Sequence, residues 1–231
     1  MLKLVSDSKV ELLDVMGDDL SVVNAARVSF DKESYWQGLV NTNVLKMADK
    51  KLIKYLYDHN HWSPFAHAFL KFRITAPISV ARQLGKHQVG LAWNEVSRRY
   101  VNYTPEIYNP AVWRAKATDK KQGSSDAVVE LPQDCWYDDE RLLNMYELGV
   151  ATAVDTYKQL LAAGVCEEQA RLVLPQGAMT TFIWSGSLFA FLRVCKLRTA
   201  PDAQKETRDV ATKIEEALRI HFPVSAQTCL K

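Results

Sequence analysis

The stretch GKHQVGLAWNEVSRRY, Gly85–Tyr100, decides how the rest of the chain is read. It brings together Lys86, Arg98 and Arg99, the histidine His87, the amides Gln88 and Asn94, the carboxylate Glu95 and the hydroxyl Ser97, with apolar residues between them. Guanidinium groups and a hydroxyl hold phosphate through charge-assisted hydrogen bonds. Amides and a carboxylate match the donor and acceptor edge of a heterocycle. A nucleotide satisfies both at once. The competing reading is a solvated basic face, because surface charges of this kind are common and weak. On that view the two arginines are surface residues, and Trp93 and Tyr100 serve packing.

Upstream, Pro77 suits a first helical position, and the pattern predicts a helix over Pro77–Gln88. Ile78, Ala81 and Leu84 form its buried stripe. Gln83, three and four residues before Lys86 and His87, shares a face with them. Gly90 then allows the chain to turn. Further out, Val10–Val15 reads as a strand and Asp19–Val28 as a short helix. Asn43–His59 follows a helical period through Leu45, Met47, Leu52, Ile53, Leu56 and Tyr57. Pro64 interrupts any helix in HWSPFAHAF, and LKFRI, 70–74, alternates as a half-buried strand does. The polar segment TDKKQGSSD, 118–126, predicts an exposed loop within about residues 115–135. A long helix is expected over Glu140–Ala163 with Gly164 as its stop, and a short one over Glu167–Leu174 against Pro175. Met179–Trp184 is strand-like, and helices follow at Ser187–Val194 and Lys205–Phe222, the latter turning Val210, Ile214, Ala217 and Leu218 inward. With no repeat and no linker, the pattern predicts one α/β domain over residues 1–231.

A chain of 231 residues with 48% hydrophobic and 24% charged residues has material for a sizeable core. The formal charge of +2 argues against a general nucleic-acid binder, so a basic site must be local. Cys135, Cys166, Cys195 and Cys229 are scattered, without a pair or histidine at metal-ligand spacing. No metal site is expected. The N-terminal residues lack an export signal and no apolar run approaches a membrane span, so a soluble cytoplasmic protein with reduced thiols and no membrane partner is expected.

The central stretch resembles the signature of the flavin-dependent thymidylate synthases: Arg-His-Arg, a seven-residue spacer and Ser, continuing as Asn-Glu-x-Ser-x-Arg-Tyr. Here it stands as Lys86-His87-Gln88, eight residues, then Ser97 within NEVSRRY. The resemblance extends to VELLDVMGDDLSVVNAARVSFDK (10–32), HNHWSPFAHAFLKFRITAPISVARQ (59–83) and ARLVLPQGAMTTFIWSGSLFAFLRVCKLRTAPDAQKE (170–206), while about 105–140 has no clear counterpart. It implies a single α+β domain of the thymidylate synthase-complementing type, a mainly antiparallel sheet flanked by helices. It also implies reductive methylation of dUMP to dTMP without a cysteine nucleophile, using FAD, 5,10-methylenetetrahydrofolate and NADPH, in a homotetramer with shared sites.

Carried over by position, the resemblance implies that Gln83, Glu95, Ser97, Arg98 and Arg99 hold the nucleotide, with Arg171 reaching in from another subunit. Arg198, in KLRTAPDAQ, would lie against the uracil ring and stabilise charge developing there, as the catalytic residue. His61, Ser63, Lys86, His87, Gln88 and Glu95 would line the flavin. Departures from the family pattern fall on the flavin side. Lys86 keeps charge without the arginine fork, and Gln88 keeps only an amide. Ser187, Phe189 and Arg193 stand where the family carries Asn, Arg and Asn, so flavin contacts are not assigned to them. The extra spacer residue predicts an enlarged turn at Val89–Trp93. The alternatives are a dUMP-modifying enzyme with another one-carbon product, such as 5-hydroxymethyl-dUMP, and a non-catalytic nucleotide- or nucleic-acid-binding protein.

Overall fold

A computed structural model describes residues 2–38, 44–118, 124–129 and 139–230. In chain order these form β1 (Leu4–Val5), β2 (Lys9–Met16), α1 (Asp19–Arg27), α2 (Met47–Asp58), β3 (Phe69–Pro77), α3 (Ile78–Leu84), β4 (Leu91–Glu95), β5 (Ile107–Tyr108), β6 (Arg114–Lys116), β7 (Ser124–Val128), α4 (Asp139–Ala162), α5 (Glu167–Ala170), β8 (Met179–Ser187), α6 (Leu188–Arg198), α7 (Lys205–His221) and α8 (Pro223–Cys229). The strands β2, β3, β8 and β4 lie in that order in a four-stranded sheet. Leu188 N–H donates to Ala68 C=O at 2.7 Å and Ile78 N–H to Ala178 C=O at 3.0 Å, so β3 and β8 run antiparallel. Ser187 N–H to Gly90 C=O (3.1 Å) and Val96 N–H to Thr181 C=O (2.9 Å) set β4 antiparallel to β8 in the same way. The mixed helix and antiparallel-sheet class agrees with the sequence.

Backbone contacts divide the chain into two compact units, Met1–Lys9 with Thr75–Gly85 and Asn94–Phe182, and Val10–Ile74 with Lys86–Trp93 and Ile183–Lys231. In the first unit, Val150 and Val154, one turn apart on α4, pack with Ile107 and Ala178 and gather Ile78, Tyr146 and Leu174 around them. Tyr146 OH donates to Tyr108 C=O at 2.5 Å. The pair β1–β5 is parallel, Leu4 opposite Ile107. In the second unit the core is aromatic. Phe191 meets Phe72 and Trp184 edge-on at 5.1 and 5.3 Å, and Trp93 meets Trp184 at 5.6 Å. From α7, Val210, Ala211, Ile214 and Leu218 are buried, and Ala211 takes the place expected for the half-buried Ala217. Asp49, fully buried, receives the Arg27 guanidinium and the Ser34 hydroxyl. The Asp19 carboxylate accepts the Val224 and Ser225 N–H groups at 2.7 and 2.9 Å, anchoring the start of α8.

Several elements differ from the sequence reading. The helix expected over Pro77–Gln88 stops at Leu84, with Pro77 as N-cap and Gly85, a poor helix former, at its end. Lys86 and His87 therefore lie beyond it in a turn and share no helix face with Gln83. Pro64 sits within a short 3-10 turn, Ser63–His67, whose first positions tolerate proline. Part of the expected 115–135 loop is strand: β7 pairs antiparallel with β6, Lys116 opposite Ser124. Residues 119–123 and 130–135 of that expected loop, and Asn43 at the start of the second expected helix, lie outside the described residues. The helix α6 runs one turn past the expected Val194, through Arg198.

One close approach fixes the turn before β4. Gly90 has φ +76, and a Cβ added to Gly186 would lie 2.3 Å from Gly90 O and 3.1 Å from Leu91 Cα. Gly186→Ala must push the backbone of that turn away from β8. It is expected to destabilise the protein by about 1–3 kcal/mol in denaturant unfolding, whereas unchanged stability would show that the two backbones do not pack this closely.

Candidate active site

In the first unit the site residues gather around the end of β4. The Thr180 hydroxyl, on the neighbouring strand β8, donates to Glu95 Oε1 at 2.7 Å and orients that carboxylate. Thr180 is a residue the sequence did not single out; it carries no signal until the strand order is known. After β4 the chain turns, Tyr100 N–H donating to Ser97 C=O at 2.9 Å, and Ser97 Oγ accepts the Arg99 N–H at 3.3 Å. Arg98 donates to Tyr103 C=O at 2.5 Å and lies 4.6 Å over the Tyr103 ring. Arg99 donates to Tyr100 OH at 2.7 Å and lies 4.9 Å from that ring's centroid. Tyr100 is 74% exposed, so it carries Arg99 instead of packing in the chain's own core.

Two of the predicted phosphate ligands meet at one residue. Arg99 Nη1 lies 3.9 Å from Glu168 Oε1, and Arg171 Nε donates to Glu168 C=O at 3.3 Å. The Arg99–Glu168 pair is exposed on both sides, and such pairs contribute at most about 1 kcal/mol. A phosphate dianion would displace this contact at small cost and gain the Arg99 guanidinium. Gln83 sits in the last turn of α3.

The second unit holds the remaining predicted residues. The turn closes at Gln88–Leu91, where Leu91 N–H donates to Gln88 C=O at 3.2 Å. It ends before Trp93, which already lies in β4, so the expected turn at Val89–Trp93 is shifted toward Gln88. Lys86 and Gln88 are exposed. His87 is half-buried, and Arg198, in the last turn of α6, donates its Nε–H to His87 Nε2 at 2.9 Å. This contact makes Nε2 the acceptor and leaves the ring proton on Nδ1. Burial first, then the Arg198 and Arg193 charges, lower the His87 pKa below its ordinary 6.5.

His61 and Ser63 are exposed at the start of the 3-10 turn. The His61 ring stands edge-on to Tyr55 at 5.9 Å. Between them in sequence, Trp62 lies 6.1 Å from Phe189. Arg193 lies 5.9 Å over the same Phe189 ring. Ser187 accepts the Ala190 N–H at 3.3 Å as the cap of α6, a structural use of its hydroxyl. Phe189, Arg193, Tyr57 and Lys196 border a cavity of about 550 Å³. Asp58, Leu192 and Leu197 line it as well, so the two cations share the cavity with a carboxylate and apolar side chains. Lys196, held by Tyr57 OH at 2.9 Å, and Trp62 were missed because neither stands out in its local pattern.

The thiols bear on mechanism. Cys195 lies three residues from Arg198, yet it is fully buried against Ala211 C=O, and burial holds its pKa well above the usual thiol range. Burial likewise pushes the Cys229 thiol up to about 12. Protonated, enclosed thiols are poor nucleophiles. Cys166 is exposed, and Cys135 lies outside the described residues. Among the described residues no three of His, Cys, Asp and Glu are grouped to hold a metal ion, and no helix is long and apolar enough to cross a membrane.

Residues 11–224 match the family described as thymidylate synthase complementing protein. A flavin-dependent thymidylate synthase of Thermus thermophilus is 37% identical over 216 residues, covering 94% of this chain and 73% of that protein. Another from Thermosipho africanus is 34% identical, covering 99% and 93%. Among solved structures, a UMP/dUMP methylase, PolB from Streptomyces cacaoi bound with 5-Br dUMP, superposes with a TM-score of 0.83 at 29% identity, covering 98% of this chain and 96% of that one. Sequence match over nearly the whole length and a common fold lead to one conclusion: the chain belongs to the thymidylate synthase complementing protein family, that of the flavin-dependent thymidylate synthases.

Proposed function

We propose that the protein is a flavin-dependent thymidylate synthase that methylates dUMP to dTMP, with 5,10-methylenetetrahydrofolate as carbon donor, NADPH as reductant and a homotetrameric assembly. The observation that carries this reading is the pair of arginine sites. Arg99 and Ser97 supply the charge and hydroxyl that a nucleoside monophosphate needs, with Arg171 reaching in from another subunit of the assembly. Arg198, its Nε held by His87, presents a guanidinium whose fork of N–H donors suits a pyrimidine ring. Glu95, oriented by Thr180, offers an acceptor to a ring N–H or a sugar hydroxyl. Gln83 and Arg98 complete the proposed nucleotide contacts.

His61, Ser63, Lys86, His87 and Gln88, with Glu95, would border the FAD, and Phe189, Arg193 and Lys196 add a ring face and cations suited to its adenine and diphosphate. When bound, FAD supplies the electron pair that completes the methyl group. The chain's own contribution is electrostatic: a guanidinium against the pyrimidine stabilises negative charge as its C5 attacks the carbon donor. The buried Cys195 and Cys229 fit a route in which no thiol adds to the base.

Mass analysis of the nucleotide formed from dUMP, methylenetetrahydrofolate, FAD and NADPH tests the reading, with UMP run alongside. The expected product is dTMP; 5-hydroxymethyl-dUMP, or no product from FAD-loaded protein, would contradict it. Arg99→Ala is expected to weaken dUMP about tenfold or more while changing deoxyuridine little, and equal losses would rule out phosphate recognition. Arg198→Ala should lower kcat about 100-fold or more with a smaller effect on dUMP affinity. Unimpaired turnover would exclude the ring-activating role.

A further inference from the structure

Arg198 can act on a ring only if its guanidinium is held in one plane, and the second unit contains the means to hold it. Its Nε–H is donated to His87 Nε2 at 2.9 Å, which fixes the Nε edge of the guanidinium. His87 itself stands on a short mount. Three residues on, Gly90 C=O accepts the Ser187 N–H at the start of α6. Gly186 lies against the Gly90 carbonyl, where a Cβ on Gly186 would come within 2.3 Å of Gly90 O. The helix α6 rises about 16 Å from Ser187 to Arg198. The Arg198 Cα–Cβ bond tilts toward the helix N-terminus, as in any α-helix. The segment His87–Gly90 is thus pinned along α6 at both ends.

We propose that His87 is a positioning residue, whose Nε2 fixes the plane of the Arg198 guanidinium; this rests on the ring-activating reading of Arg198. A neutral imidazole is required, because a proton on Nε2 removes the acceptor and turns the contact into a repulsion. The groups that face His87 favour that neutral state: Arg198 and Arg193, both cations of α6, add to the effect of burial. Raising the pH through a value below 6.5 therefore completes the contact, and lowering it breaks the contact. A flavin-contacting histidine with no such role would have no reason to accept from Arg198.

A double-mutant cycle on the FAD-loaded enzyme tests this, comparing His87→Leu, His87→Gln, Arg198→Ala and His87→Leu/Arg198→Ala for kcat, KM for dUMP and FAD dissociation constant. Assayed at saturating FAD, His87→Leu is expected to lower kcat about tenfold to 100-fold with KM for dUMP within about threefold of wild type. His87→Gln, whose amide oxygen can accept from Nε, should recover most of the loss. The double variant should be no slower than Arg198→Ala. The wild-type kcat profile should show an acid limb with a pKa below 6.5 that is absent from Arg198→Ala. Additive losses, a His87→Leu defect that follows FAD release, or a Gln variant as slow as Leu would overturn the proposal. Arg198→Ala with full turnover would overturn the functional reading beneath it, an outcome distinct from a slow Arg198→Ala beside an unimpaired His87→Leu. Nitrogen NMR of the free protein reads the contact without turnover: an Nδ1–H tautomer supports it, and an Nε2–H tautomer overturns it.

Discussion

The close approach of Gly186 to Gly90 is the constraint on which the second unit's chemistry rests. Gly186 has no room for a side chain and Gly90 has a left-handed φ of +76, so the turn after His87 lies directly against the end of β8 and the cap of α6. That contact needs no polar partner beyond the ladder bond from Ser187 to Gly90. Its effect is to convert a loop into a fixed mount. His87 then meets Arg198 at hydrogen-bond distance, and the charge proposed to act on the pyrimidine has a defined direction. Lys86 and Gln88, on the same segment, are exposed and free of that constraint. The departures from the family's Arg-His-Arg therefore flank a histidine held by Arg198.

The first unit solves a different problem with the same residue type. Arg98 and Arg99 each rest on a tyrosine ring, Tyr103 and Tyr100, which orders a long side chain without neutralising it. Glu168 supplies only an exposed, weak counter-charge to Arg99. Such an arrangement is suited to exchanging a carboxylate for a phosphate. Buried ion pairs such as Arg27–Asp49 are structural by contrast, because their charges are taken from water and kept.

Much of the secondary structure was legible because it follows local periodicity. The strand β2, the helices α2, α4 and α7, and Gly164 after α4 all carry patterns of period two or 3.6, or a stop signal. What failed to show has no local pattern. The end of α3 at Gly85 depends on the turn that follows, and β7 is built from residues that favour loops until β6 pairs with them. The helix α8 is anchored by Asp19, 205 residues earlier. For the site, residue types were readable and contacts were not. His87 and Arg198 are separated by 111 positions, Glu95 and Thr180 by 85, and only the strand and helix arrangement brings each pair together. Flavin-side departures at Ser187 and Phe189 become intelligible only in the fold, as a helix cap and a ring beneath Arg193.

The most direct test of the central claim is a crystal structure of the protein soaked with dUMP and FAD. The account predicts the phosphate at hydrogen-bond distance from Arg99 and the pyrimidine against the Arg198 guanidinium, with His87 still accepting from its Nε. A nucleotide bound away from both arginines, or a ring contacted by a cysteine sulfur in place of Arg198, would contradict it.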